Sequence, residues 1–160
     1  SGRGRERQLK LAEEWGIRSF PPPAGGCLLT EPNFSRRLRD LLQHGENLTF
    51  QGVELLKIGR HFRLNPAFKL IVGRDAEENE KIRRIATPED VLFFPSEGRG
   101  PVALGRGKGD QETLKDAASL VAYYVRCDEN HVSVGMEHRH CKEVWCVSKM
   151  EEKAVRQRMI

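Results

Sequence analysis

A cysteine in a glycine-rich loop is the first candidate for covalent chemistry in this sequence. Cys27 follows Gly25 and Gly26 and precedes a predicted helix that carries Arg36 and Arg37. Nearby cations lower the pKa of a thiol and raise the fraction of thiolate, which is the nucleophilic form. The pattern is compatible with a reactive thiol at Cys27, and it is equally compatible with a small buried loop residue that has no chemical role.

Three loops combine glycine with cationic side chains and are candidates for phosphate binding. They span residues 1–5, 97–100 and 104–110. Glycine lets backbone amides approach an anion closely, and Arg106 and Lys108 stand just before a predicted helix start, where an anion is favoured. The glycine spacing of the third loop does not match the G-x-G-x-x-G pattern of nucleotide-binding loops. These loops therefore predict phosphate contacts rather than a nucleotide site.

The cysteines and histidines near the C-terminal end do not form a recognisable metal motif. His138 and His140 would share one face of a strand, but Cys141 would point to the other face. The sequence contains no Cys-x-x-Cys pair among Cys27, Cys127, Cys141 and Cys146. This usage indicates free thiols in a reducing cytosol, so we expect a cytoplasmic protein without a metal. An iron–sulfur or zinc protein remains an alternative that elemental analysis would test.

Tyr123, Tyr124 and Trp145 are aromatic candidates for stacking on nucleic-acid bases. Tyr124 lies close to the apolar stripe of a predicted helix, so a core position is equally compatible with its place in the sequence. No stacking role is assigned to any of the three.

The periodicity of apolar residues predicts the elements that would position these candidates. It predicts helices over 5–15 and from Pro32 to Gly45, and two further helices that begin at Asp75 and Asp110. It predicts short strands over 53–58, 68–72, 91–94, 101–104, 132–136 and 144–147. This order indicates an α+β fold, in which a mostly antiparallel or mixed sheet is covered on one face by two helices.

Length and composition limit the domain organisation. The 160 residues suffice for one domain and part of a neighbour. Charged residues make up 31% and hydrophobic residues 38%, which is typical of globular proteins. No apolar run approaches the roughly 20 residues of a membrane-spanning helix, so no membrane contact is expected. The sequence starts at Ser1 rather than Met, and we expect further sequence upstream. The net charge of +4 is compatible with a polyanionic partner.

The N-terminal part resembles the end of PP-loop tRNA thiouridylases of the MnmA and ThiI kind. The residues that carry this resemblance are the run 23–30, followed by Phe34 and Leu38. The resemblance implies that residues 1–46 are the tail of a PP-loop domain and that Cys27 is a catalytic cysteine. It also implies ATP and Mg as cofactors, tRNA as substrate and a persulfide sulfur donor as a partner protein. The Ser-Gly-Gly-x-Asp-Ser loop that binds ATP in this family is absent from the sequence, so ATP would bind upstream.

The remaining part, residues 47–160, resembles the NFACT-R RNA-binding domain, which also occurs fused to thiolation enzymes. The residues that carry this resemblance are Gly73 and Arg74 with Asn79, the run 90–94, Gly100 with Val102, the run 122–124 and the region 140–144. The family often has Trp-Phe-His at 93–95 and Gly-Ser-His at 100–102, where this chain has Phe-Phe-Pro and Gly-Pro-Val. The resemblance implies contact with RNA rather than a particular mode of recognition.

Together these patterns predict the C-terminal part of a tRNA sulfurtransferase whose larger domain binds tRNA. The cations expected to contact the RNA backbone are Arg74, Arg99, Arg106 and Lys108. The alternative is an RNA-binding or ribosome-binding adaptor without a catalytic role, in which Cys27 is incidental. The sequence does not indicate an oligomeric state.

Overall fold

The structure is a computed structural model that describes residues 6–17, 27–45, 48–139 and 141–160. Its helices are α1 (Glu6–Glu14), α2 (Pro32–Gln43), α3 (Phe50–Leu56), α4 (Ala76–Ile85), α5 (Gln111–Tyr123) and α6 (Glu152–Arg158), with a short 3-10 helix at Leu28–Thr30. Its strands are β1 (Arg60–Asn65), β2 (Phe68–Val72), β3 (Val91–Pro95), β4 (Ala103–Gly107), β5 (His131–His138) and β6 (Cys141–Ser148).

The six strands form one antiparallel sheet in the order β1-β2-β4-β3-β5-β6. The hairpins β1–β2 and β5–β6 lie at the two edges, and β4 lies between β2 and β3 at the centre. The predicted α+β class with a mostly antiparallel sheet is confirmed. Asp75 and Asp110 cap α4 and α5 as predicted, since their carboxylates accept backbone N–H bonds from Glu78 and Thr113.

Helices cover both faces of the sheet, so the prediction of a single covered face was wrong. The larger apolar core lies between the sheet and α5, whose buried residues include Ala117, Leu120 and Val121. A second cluster joins Ile71 and Leu104 of the sheet to side chains of the α3 and α4 region on the other face. All five residues of β2 are buried, because Phe68, Leu70 and Val72 enter the larger core while Ile71 enters the second cluster and Lys69 lies beside Asp40.

The predicted strand over 53–58 is also wrong, because most of this segment forms helix α3. The hydroxyl of Thr49 caps the helix by accepting the N–H of Gly52 at 3.0 Å. Val53 and Leu56 pack against α2, whereas Leu55 belongs to the second cluster. The helical spacing of this apolar run lets its side chains contact both α2 and the second cluster. In the sequence, such a short apolar run cannot be distinguished from a buried strand.

Helix α2 is held against α3 and the first hairpin. The Arg37 guanidinium donates hydrogen bonds to the carbonyls of Leu56 and Gly59, at 2.8 and 2.9 Å. The Asp40 carboxylate accepts from Arg63 of β1 and lies 3.2 Å from the Lys69 ammonium of β2. Residues of α2 therefore contact the predicted RNA-binding part directly. The division of the chain into 1–46 and 47–160 stays a prediction.

Candidate nucleic-acid interface

A concave site, here called the basic pocket, opens at one end of the sheet where β2 ends and β4 begins. Val72 pairs with Ala103 there, and the N–H of Gly73 donates to the Val102 carbonyl at 2.9 Å. The pocket has a volume of about 630 Å³. Its walls come from the start of β1, one face of α4, the loop between β3 and β4, and the residues that follow α5.

Five arginines line the basic pocket and give it its charge: Arg60, Arg74, Arg83, Arg99 and Arg126. Asp75 is the one acidic residue among the described lining residues. Its carboxylate caps α4 by accepting the N–H of Glu78. The pocket therefore carries a surplus of positive charge within a concave surface, which is the electrostatic condition for attracting a polyanion.

Only one of these arginines is neutralised within the part of the chain that the structure describes. Arg74 forms an ion pair with Glu78 one helical turn ahead. Burial disfavours the charged form of the Glu78 carboxyl, but hydrogen bonds from Arg74 outweigh this effect and lower its pKa to about 2. Arg60, Arg83, Arg99 and Arg126 have no acidic hydrogen-bonding or ion-pair partner among the described residues.

Two of the unpaired arginines lie over aromatic rings inside the pocket. The guanidinium of Arg60 lies 4.8 Å from the centroid of the Tyr124 ring. The guanidinium of Arg83 lies 5.2 Å from the centroid of the Phe94 ring. Attraction between a cation and the face of an aromatic ring holds each guanidinium plane in place without neutralising its charge.

The loop that carries Arg99 is fixed at both ends. Asn79 on α4 donates from its side-chain amide to the Gly100 carbonyl at 3.2 Å and accepts the N–H of Val102 at 2.9 Å. At the other end, the N–H of Ser96 donates to the Ser133 carbonyl at 2.9 Å. These bonds anchor both ends of the loop beside α4 and leave the exposed side chain of Arg99 at the rim of the pocket.

The structure separates the four cations that the sequence analysis singled out. Arg74 and Arg99 lie together in the basic pocket, whereas Arg106 and Lys108 lie at the opposite end of β4. Arg106 donates two hydrogen bonds of 2.7 Å to the buried carboxylate of Asp90. Burial favours the neutral Asp90 carboxyl, but the bonds from Arg106 outweigh this effect and hold its pKa below the ordinary value. Contacts of Arg106 and Lys108 with RNA stay a prediction.

Cys27 is exposed and immediately precedes the short 3-10 helix. Its carbonyl accepts the backbone N–H and the hydroxyl of Thr30, both at 2.7 Å. The guanidinium of Arg36 donates to Asn33 and that of Arg37 to backbone carbonyls. Both nearby cations therefore have other partners. The glycines before Cys27 lie outside the described residues, and its catalytic role stays a prediction.

Sequence reasoning missed three of the arginines and the Phe94 ring of the pocket, and it considered Tyr124 for stacking without assigning it that role. Arg60 opens a strand that was not predicted, and Arg126 follows the end of α5. Asn79 and Arg83 stand four residues apart on α4, so a shared helix face was a signal that could have placed Arg83 beside Asn79. Three of the positions where the chain departs from the NFACT-R pattern, Pro95, Pro101 and Val102, line the pocket.

The described part of the chain contains neither a metal-binding cluster nor a membrane-spanning helix. Within the described ranges no three His, Cys, Asp or Glu side chains converge as a metal site would require. His140 lies outside the described residues, and His138 contacts the Asp90 carbonyl at 3.2 Å through its Nδ1. None of the described helices is long and apolar enough to span a bilayer.

Comparison with known families gives a match over most of the chain. The sequence model described as the NFACT protein RNA-binding domain matches residues 59–159. The match begins just before β1 and extends to the end of α6, so it contains all six strands and the five arginines of the basic pocket. It confirms the resemblance seen in the sequence for this part. No comparison supports a PP-loop thiouridylase in the N-terminal part.

The fold also resembles a solved structure, titled as the C-terminal part of the fibronectin/fibrinogen-binding protein from Streptococcus suis. The two chains superpose with a TM-score of 0.57 at 16% sequence identity. The superposition covers 77% of this chain and 59% of the other, so this chain matches little more than half of that structure's length. At this level of identity the likeness concerns the fold alone. A search among curated proteins gave no match.

Proposed function

This chain belongs to the family of NFACT protein RNA-binding domains, and on that premise we propose that it binds RNA through the basic pocket. The observation that carries the proposal is the convergence of four arginines without an acidic partner, among the described residues, on one concave surface. Arginine suits phosphate because its planar guanidinium donates two parallel hydrogen bonds. The RNA backbone is therefore the partner that best matches the charge and donor chemistry of this pocket.

The cations of a second cavity argue for the basic pocket by contrast. A second cavity between α3 and the sheet is lined by Arg63, Lys69 and Arg106. The first two pair with Asp40 and the third pairs with Asp90. Phosphate binding there would compete with these ion pairs, whereas four arginines of the basic pocket have no acidic partner to lose among the described residues.

Titration of a labelled tRNA with the protein at several salt concentrations tests this function. We expect binding that weakens as salt rises, because each arginine that neutralises a phosphate releases a counterion. Two to four such contacts predict a slope of about −1.5 to −3 for log affinity against log salt, at roughly −0.7 per contact in a single strand. Absence of binding up to a protein concentration on the order of 100 μM would contradict the proposal.

The tRNA sulfurtransferase interpretation receives no specific support from the geometry. It requires Cys27 as a catalytic cysteine, together with ATP, Mg and a sulfur donor that would act with an upstream part. Cys27 lies outside the residues that the family model matches. The RNA-binding or adaptor role, which was the alternative from the sequence, is the one that the pocket supports. We keep tRNA as the proposed natural RNA partner.

A further inference from the structure

We infer that the basic pocket holds an unpaired nucleotide of a single-stranded RNA segment rather than the backbone of a duplex. This inference rests on the proposed function and specifies its substrate class. The first argument is shape, because the pocket is concave and its volume of about 630 Å³ falls within the range of sites that enclose small ligands. A duplex presents phosphates on a convex surface and keeps its bases stacked inside, so its bases cannot enter such a pocket.

The second argument is the presence of two arginine–aromatic pairs within the same walls. The guanidinium groups of Arg60 and Arg83 are flat surfaces held over Tyr124 and Phe94. Unstacked RNA bases pack against such guanidinium planes and against aromatic rings. Backbone binding to a duplex needs only positive charge, and it gives no reason for flat stacking surfaces inside a cavity.

The third argument concerns which part of the nucleotide each wall would contact. Arg99 and Arg126 are exposed and line the same pocket, where they are available to phosphates on either side of the bound nucleotide. The amide of Asn79 is held by the backbone of Gly100 and Val102, which use one of its two N–H donors and one lone pair of its oxygen, so it is oriented toward the loop rather than toward a base. We therefore expect discrimination between unpaired and paired RNA, with little preference for one base over another.

The test compares three RNAs of matched sequence by fluorescence anisotropy: a single strand, a blunt duplex and the same duplex with a one-nucleotide bulge. We expect the single strand and the bulged duplex to bind about tenfold more tightly than the blunt duplex, the factor expected for one stacked base. Equal affinities for all three RNAs would overturn the inference and leave the proposed function intact. Failure of all three to bind would overturn the proposed function itself.

A charge-conserving variant separates stacking from electrostatic attraction. Arg60→Lys with Arg83→Lys keeps both positive charges but removes both guanidinium planes. The variant should lose about tenfold in affinity for the single strand and retain the parent's affinity for the blunt duplex. An unchanged ratio of the two affinities would contradict stacking on these planes. Arg36→Lys with Arg39→Lys, on α2 and outside the basic pocket, is the matched control and should leave the ratio unchanged.

Discussion

Replacement of Arg99 and Arg126 by glutamate should lower the affinity for single-stranded RNA about 100-fold. Both side chains are exposed at the pocket and have no acidic partner among the described residues. Each substitution removes a charge-assisted hydrogen bond worth about 1.5–3 kcal/mol, and the introduced carboxylate repels phosphate. Two such losses correspond to a factor of about 100 or more in the dissociation constant, which anisotropy titration at fixed salt would measure.

A control with the same change in net charge shows whether position matters. Lys115→Glu with Lys153→Glu alters two exposed lysines on α5 and α6, outside the residues that line the pocket. We expect this variant to lose only a few-fold in affinity, because neither lysine lines the pocket and salt screens solvent-exposed charges. Equal losses for the two variants would show that the protein attracts RNA through its overall charge and not through the basic pocket.

Arg106→Ala should destabilise the fold by about 3 kcal/mol, which is the largest stability effect we expect from a single arginine. The carboxylate of Asp90 is 3% exposed and accepts two hydrogen bonds from the guanidinium of Arg106. Without that partner Asp90 retains, among the described residues, only the donors of Thr87 and remains a buried charge. Chemical denaturation followed by circular dichroism would give the change in the free energy of unfolding.

Arg84→Ala is the matched control for this measurement. Arg84 pairs with Glu80 on the surface of α4, where both side chains are more than half exposed. Such pairs contribute little, so we expect a change within about 0.5 kcal/mol. If Arg106→Ala were equally mild, the pair with Asp90 would not be structural. That result would favour the prediction that Arg106 contacts RNA over a role for Arg106 in stabilising the fold.

Much of the fold was predictable because several elements follow local rules. Asp75 and Asp110 mark helix starts by their side-chain chemistry, and α5 has a continuous apolar stripe. The errors occurred where tertiary packing decides the outcome. The run 53–58 packs in two directions as a helix, and β1 contains charged residues that are only partly buried. Strand β1 depends on pairing with β2, and the short helix α6 depends on packing against β1. Because these are tertiary contacts, the local sequence of neither element predicts it strongly.

The site was predictable only in part, because its residues come from distant parts of the chain. Arg74 and Arg99, which both line the pocket, were predicted from glycine-containing turns, which are local signals. Arg60 and Arg126 meet the others only because the start of β1 and the end of α5 reach the same end of the sheet. Conversely, Arg106 resembles a phosphate ligand in its glycine-rich loop, but the fold places it against Asp90, which is distant in sequence.

The most direct test of RNA binding by the basic pocket is nuclear magnetic resonance of the labelled protein during titration with a short single-stranded RNA. The Nε–H signals of arginine report contact at each guanidinium. We expect the largest shifts at Arg60, Arg83, Arg99 and Arg126, together with the backbone amides of Gly98 and Gly100. Shifts confined to Gly107 and Lys108, at the opposite end of β4, with the signals of the basic pocket unchanged, would contradict the account.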